Sequence, residues 1–164
     1  MLDPERIVHT GWDGLVRLLD AGGYVRYDFR TATKLLTVFG NVRERYGTLG
    51  ALHRAAADAR DLETRLMALG KGIGPVTVNI FLRELRGVWE KADPPLSPLA
   101  LAAARDLGLL APAVEDPQAA LAALKTQWAK DGGAAGDFAD FEAALVRHGL
   151  TLGRRHPRAS RPAR

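Results

Sequence analysis

Residues 66–82 read LMALGKGIGPVTVNIFL and join two amphipathic runs through a connection that holds three glycines. Because glycine lacks a Cβ and tolerates positive φ, a connection with Gly70, Gly72 and Gly74 can turn sharply and bring its backbone N–H groups against a ligand. Pro75 fits the first turn of a helix, where its missing N–H costs nothing. The pattern predicts two helices that meet at a tight hairpin.

The start of the second helix of this hairpin has the chemistry of an anion site. Its first backbone N–H groups lack intrahelical partners, the helix dipole favours negative charge there, and Lys71 adds a cation. The pattern predicts a phosphate clamp that is indifferent to base identity, because backbone contacts carry no sequence information. The alternative is an ordinary helical hairpin whose glycines only allow close packing. No strand precedes the glycines and no Gly-Lys-Ser or Gly-Lys-Thr follows, which excludes Rossmann and Walker phosphate loops.

The rest of the chain carries helix signals and almost no strand signals. Asp3-Pro4, Ser97-Pro98 and Asp116-Pro117 each pair an N-cap residue with a proline at the first helical position. The apolar spacing predicts further helices at about 29–46, 49–57, 59–69, 75–89, 97–107, 117–130 and 138–148. We predict an all-α fold, a multi-helix orthogonal bundle, as one domain over residues 1–152 with the hairpin at 62–86.

The composition, with 47% apolar and 26% charged residues, is typical of a globular domain and excludes wholesale disorder. At 164 residues the chain can bury a core without a disulfide or a zinc ion to hold it together. The absence of cysteine excludes disulfides, thiol catalysis, cysteine-ligated zinc and iron–sulfur clusters. The sequence shows no secretory signal and no apolar run of about 18 residues, so we expect a cytoplasmic protein with no membrane partner.

The positive charge is concentrated at the C-terminus. Residues 153–164 contain five arginines and no acid, so removing them from the net charge of +4 leaves residues 1–152 at −1. A basic tail adds affinity for phosphate by counterion release, but it carries no sequence recognition. We predict a basic, disordered tail over these residues, whose alternative role is to keep the protein soluble.

The glycine-rich connection resembles a known DNA-binding hairpin. Residues 69–79, LGKGIGPVTVN, have a Gly-hydrophobic-Gly core, a threonine three residues past the second of these glycines and then an asparagine. They are similar to the helix-hairpin-helix of the HhH-GPD superfamily, the base-excision DNA glycosylases that include endonuclease III-like enzymes. The similarity extends from Trp12 to Leu109. The resemblance implies a base-excision-repair protein that binds double-stranded DNA, damaged or distorted, as a monomer.

The same resemblance assigns DNA contacts and an ion to the hairpin. It implies that the DNA backbone is contacted by Gly70, Lys71, Gly72, Ile73, Gly74 and Thr77. It also implies that a monovalent cation, Na⁺ or K⁺, is held by the backbone carbonyls of Ala68, Gly70 and Ile73. Hairpins of this type also occur in ligases, nucleases and polymerases, so the motif alone does not predict glycosylase chemistry.

The resemblance predicts glycosylase chemistry without lyase chemistry. In the family a carboxylate past the hairpin stabilises the oxocarbenium-like transition state once the base is flipped out. Bifunctional members use a lysine, at the position that Val76 takes here. Two residues compete for the carboxylate position: Asp93, which lies 17 residues after Val76, and Ser97, which the apolar pattern of the next helix places there. A serine is neutral and cannot offset a cation.

These observations predict a monofunctional DNA N-glycosylase if the protein is catalytic. One alternative is a non-catalytic helix-hairpin-helix module that recognises damaged or distorted DNA. The second alternative is a helical protein-interaction domain. The family's upstream helices would precede Met1, which implies a reduced domain or a gene start placed too late. Its C-terminal iron–sulfur module also has no counterpart.

Residues 22–27 form a second candidate DNA contact. Tyr24 and Tyr27, with Arg26 and Arg30 beside them, suit contacts to bases and phosphates. The alternative is a loop tied down by its two tyrosines. The three tryptophans, Trp12, Trp89 and Trp128, could also stack on bases. Anchoring of the hydrophobic core is the more common role for tryptophan.

Overall fold

Residues 3–155 are described by a computed structural model, and within them the predicted all-α fold is confirmed: no residue of this range forms a β-strand. The α-helices of this range are Pro4–Ala21 (α1), Asp28–Tyr46 (α2), Leu49–Ala55 (α3), Ala59–Met67 (α4), Pro75–Arg83 (α5), Pro98–Asp106 (α6), Pro117–Lys130 (α7) and Phe138–Arg155 (α8), and a 3-10 turn at Ala135–Asp137 leads into α8. None of them is both long and apolar enough to cross a membrane. The predictions for residues 156–164 lie outside the described residues.

Polar caps determine where several helices begin. The predicted caps each accept a hydrogen bond from a backbone N–H two or three residues later and are followed by proline: Asp3, Ser97 and Asp116. Thr48 and Asp58 cap α3 and α4 in the same way. Such a cap contributes about 1 kcal/mol to stability. These helix starts therefore follow from local sequence alone.

Two predicted helix ends are wrong. α5 ends at Arg83 rather than near residue 89, and the chain continues in turns that include Gly87, which adopts φ +77°. α8 runs through Arg155 rather than ending near residue 148. A Cβ at Gly149 would lie 2.3 Å from the carbonyl oxygen of Leu99, so this glycine permits close packing of α8 on α6. One glycine lies in a series of turns and the other sits inside a regular helix.

The helices form two compact units, one up to Val78 and one from Asn79 onward. In the first unit α1 packs against α2. A buried cluster between these two helices consists of Leu15, Val16 and Ala32. The single domain expected over residues 1–152 stays a prediction.

The second unit has its core among α6, α7 and α8. α6 packs against α8. The buried residues of this core are Leu96, Ala100, Leu101, Ala103, Ala104, Leu110, Ala120, Leu121, Leu124, Phe138 and Leu145. Trp128 packs on the core and stacks on Phe141, with 4.8 Å between ring centroids. Trp128 therefore has the anchoring role that is common for tryptophan.

Candidate nucleic-acid interface

Residues 68–74, which we call the glycine turn, connect α4 to α5. Gly72 adopts φ +82°, a left-handed conformation that favours glycine. A Cβ at Gly70 would lie 3.2 Å from Cγ2 of Val38, so the turn backbone lies close against α2. The N–H of Ile73 donates to the carbonyl of Gly70 at 3.1 Å and closes the turn. The backbone conformation therefore favours glycine at position 72, and the close approach to α2 favours it at position 70.

Side chains of α2 hold the glycine turn by its carbonyl groups. Nδ2 of Asn41 donates to the carbonyl of Leu69 at 2.8 Å. Nη1 of Arg45 donates to the carbonyl of Ala68 at 3.2 Å. The last carbonyls of a helix have no intrahelical donor, and these bonds satisfy two such groups at the end of α4. The turn is thereby fixed against α2.

The carbonyls expected to hold Na⁺ or K⁺ fit that ion poorly. The Ala68 carbonyl accepts from the guanidinium of Arg45, and the Gly70 carbonyl accepts from the N–H of Ile73. A guanidinium at one ligand position repels a second cation beside it. Two of the three expected ligand positions are thus bound by protein donors.

A groove of about 560 Å³ lies between the first half of α2 and the glycine turn. We call it the cationic groove, and its lining consists of Phe29, Arg30, Thr33, Lys34, Thr37, Val38, Gly70, Lys71 and Gly72. Three of these residues are cationic, and no carboxylate is among them. Nζ of Lys34 lies 3.4 Å from the carbonyl of Gly72, so one cation is held at the turn itself. Clustered cations without acids attract phosphate.

The cationic groove brings together four of the residues predicted to bind DNA: Arg30, Gly70, Lys71 and Gly72. Ile73 and Gly74 complete the turn beside them, and Thr77 is exposed in the first turn of α5. The part of the hairpin that the sequence predicted as a phosphate clamp therefore lies at the groove or directly next to it.

Arg26 is not part of the groove lining. Its guanidinium carbon lies 5.3 Å from the centre of the Tyr27 ring, an arrangement that holds it by a cation–π contact. Sequence analysis missed Lys34 and Phe29. Their contribution depends on α2 lying against the glycine turn, and no local pattern predicts that arrangement.

Asp93, the predicted catalytic carboxylate, lies in a cluster of ion pairs in the second unit. Its Oδ1 accepts from Nη1 of Arg86 and from Nζ of Lys125, the latter at 2.5 Å. Arg86 also donates to Oε2 of Glu142 at 2.8 Å and to the carbonyl of Pro94. Asp93 is 41% exposed, whereas Arg86 and Glu142 are buried. A carboxylate that already faces two cations has little negative potential left for a developing positive charge.

Glu142 is the buried acid of this cluster. Desolvation raises its pKa above the ordinary value for glutamate, while the guanidinium of Arg86 opposes that rise. Its second oxygen, Oε1, is buried and makes no hydrogen bond. Arg86 and Glu142 are 56 positions apart. No local signal links residues at that separation, and sequence analysis did not pair them.

A cleft of about 670 Å³ opens beside Asp93 and has a volume that suits a small molecule. Trp89 and Trp128 line it together with Arg86 and Lys125. Trp89 also packs edge-on against Phe81, with 5.9 Å between ring centroids. The cleft therefore combines two aromatic side chains with the ion-pair cluster.

Ser97 and Val76 occupy the two other positions where the resemblance expects catalytic groups. Oγ of Ser97 accepts from the N–H of Ala100 at 3.3 Å and caps α6, so this hydroxyl has a structural role. Val76 is exposed at the start of α5 and has no amine for a Schiff base.

Comparisons with known proteins give no relative for this chain: no family model, no curated protein and no solved structure matches it. Within the described residues, no group of three or more His, Asp or Glu side chains is arranged to hold a metal ion. Function is therefore inferred from the chemistry of the cationic groove and of the cleft beside Asp93.

Proposed function

We propose that the protein binds the phosphate backbone of double-stranded DNA at the cationic groove and the glycine turn. The observation that carries this proposal is the lining of the groove, where Arg30, Lys34 and Lys71 meet without a carboxylate. The resemblance of the hairpin to the HhH-GPD superfamily supports a role in base-excision repair, at damaged or distorted DNA. The protein would act there as a non-catalytic binding module.

The cationic side chains supply most of the attraction for phosphate. The hydroxyls of Thr33 and Thr37 donate to backbone carbonyls of α2, so they are not free to donate to a phosphate. Backbone N–H groups at the start of α5 add donors, because the first N–H groups of a helix have no intrahelical acceptor. None of these groups reads a base edge, so the binding is independent of sequence.

Removing the groove cations tests this proposal. We expect Arg30→Gln, Lys34→Gln and Lys71→Gln each to weaken binding to a 20-base-pair duplex. Each is expected to lower the slope of log affinity against log salt by about 0.9 for every phosphate that the variant no longer neutralises. Fluorescence anisotropy at several salt concentrations measures both quantities.

The matched control for these variants is Arg43→Gln, which removes the same charge from α2 outside the groove lining. It should leave affinity and slope close to those of the unmodified protein. Equal affinity for all four variants would contradict the proposal.

A monofunctional DNA N-glycosylase is the second candidate function, favoured by the cleft that Trp89 and Trp128 line beside Asp93. The ion pairs of Asp93 with Arg86 and Lys125 argue against it, because they offset the charge that the reaction needs. We therefore expect no base release from duplexes that contain uracil, alkylated bases or oxidised bases. The assay adds alkali to cleave at any abasic site. Release from one substrate that is abolished in Asp93→Asn would instead establish the glycosylase.

A further inference from the structure

Two exposed aromatic side chains lie in contact with each other, one of them in the lining of the cationic groove, and we call them the aromatic pair. Phe29 is 57% exposed and lines the groove, and Trp12 is 39% exposed. Their ring centroids are 5.2 Å apart. A core role was one of the two roles expected for Trp12 from the sequence, but the structure places it at the surface.

A hydrogen bond ties the Trp12 ring to α2. Nε1 of Trp12 donates to Oγ1 of Thr33 at 3.0 Å, and that hydroxyl donates to the carbonyl of Phe29 at 2.9 Å. Gly11, with φ +69°, interrupts the regular helical backbone directly before Trp12. The Trp12 ring is thus tied to the beginning of α2, which carries Phe29 and Arg30, and little ordering of this ring is needed when a planar ligand stacks on the pair.

Charges of both signs lie next to Phe29 in the chain. Arg30 follows it and lines the groove with two further cations. Asp28 precedes it and interacts with Asp20, and desolvation together with this second carboxylate raises the pKa of Asp20. A phosphate is therefore attracted to the groove, where no carboxylate is part of the lining.

We propose that the aromatic pair takes an unpaired base whose phosphate lies in the cationic groove, so that the preferred DNA has a gap or a single-stranded junction. This inference rests on the proposed DNA binding at the groove. Phe29 and Arg30 are neighbours that line the same groove, so one nucleotide can stack on the ring and place its phosphate among the cations. In a closed duplex both faces of each base are covered by adjacent bases, so an aromatic surface finds no partner.

Three DNA probes of one sequence test the preference: a duplex closed at both ends by non-nucleotide linkers, so that it has no unpaired base, the same duplex with a two-nucleotide gap, and the single strand. We expect the gapped probe to bind about tenfold more tightly than the closed duplex, the effect of one base stacked on an aromatic ring. Phe29→Ala is expected to remove this difference, so that the ratio of the two affinities falls to about one. Phe29→Tyr keeps a ring and is expected to keep the difference.

A readout without substitution uses tryptophan fluorescence of the full chain. The gapped probe is expected to quench it, and the closed duplex is not. Equal affinity of the unmodified protein for the gapped and closed probes would overturn the inference and leave duplex binding intact. An equal loss of affinity for both probes in Phe29→Ala would also overturn it, because it would give Phe29 a structural role. Failure to bind any probe would overturn the proposed function itself.

Discussion

Glu142→Ala lowers the free energy of unfolding by about 3–5 kcal/mol, the expected cost of removing one partner of a buried ion pair. The variant leaves the guanidinium of Arg86 buried with one of its two carboxylate partners gone. A domain of this size is stable by only about 5–15 kcal/mol, so the loss is a large fraction of the total. Urea unfolding followed by circular dichroism measures it.

Two further variants separate charge from packing in this result. Glu84→Ala removes the exposed carboxylate of another ion pair, that with the partly buried Arg83, and is expected to cost at most about 1 kcal/mol. Glu142→Gln keeps the shape of the side chain and an oxygen that accepts from Arg86, so it should be less destabilising than Glu142→Ala. A loss of stability for Glu142→Ala no greater than that for Glu84→Ala would contradict the importance of the buried pair.

The raised pKa of Glu142 also gives this pair a pH dependence. Burial disfavours the carboxylate form in the folded protein, so the folded state holds the proton more tightly than the unfolded state. The free energy of unfolding therefore falls as pH rises from the ordinary glutamate pKa through the raised pKa of Glu142. At higher pH this group causes no further change. Glu142→Gln lacks the titration. Thermal scans between pH 4 and pH 8 measure the difference between the Tm of Glu142→Gln and the Tm of the unmodified protein. This difference should rise with pH over that window and then level off.

Local chemistry explains which parts of the fold could be predicted. Asp3, Ser97 and Asp116 reveal helix starts because a cap acts on N–H groups only two or three residues away. The predicted end of α8 near residue 148 is wrong because the Leu99 backbone that requires glycine at position 149 belongs to another helix. A glycine in sequence shows that a Cβ is absent, but not whether the reason is a turn or a neighbour.

In the candidate sites, too, only features that are local in sequence could be predicted. Gly72 and Lys71 could be found because the turn and its cation are contiguous in sequence. The contribution of Lys34 requires α2 to lie against that turn, an approach over 38 positions. The pairing of Asp93 with Lys125 spans 32 positions and is equally hidden. Sequence analysis therefore identified four of the nine residues that line the groove and none of the partners of Asp93.

Gly72→Ala is expected to weaken DNA binding roughly ten- to a hundredfold, about the contribution of one charge-assisted hydrogen bond. The backbone at Gly72 has φ +82°, which costs an alanine about 1–2 kcal/mol. The added Cβ would also lie 3.2 Å from Nζ of Lys34. The flexible end of that lysine can move away, and it would then leave both the Gly72 carbonyl and the groove.

Two other glycines show whether the weaker binding comes from the groove or from strain. Gly47 has φ +74° with open space around its Cβ position, so Gly47→Ala should cost similar stability and leave DNA affinity unchanged. Gly74 has open space and no positive φ, so Gly74→Ala should fold normally. A DNA backbone lying against the glycine turn would meet the new methyl group, and affinity would fall without any change in Tm. Anisotropy and thermal unfolding on the three variants give both quantities. Equal affinity in Gly72→Ala and Gly47→Ala would remove the glycine turn from the DNA-binding surface.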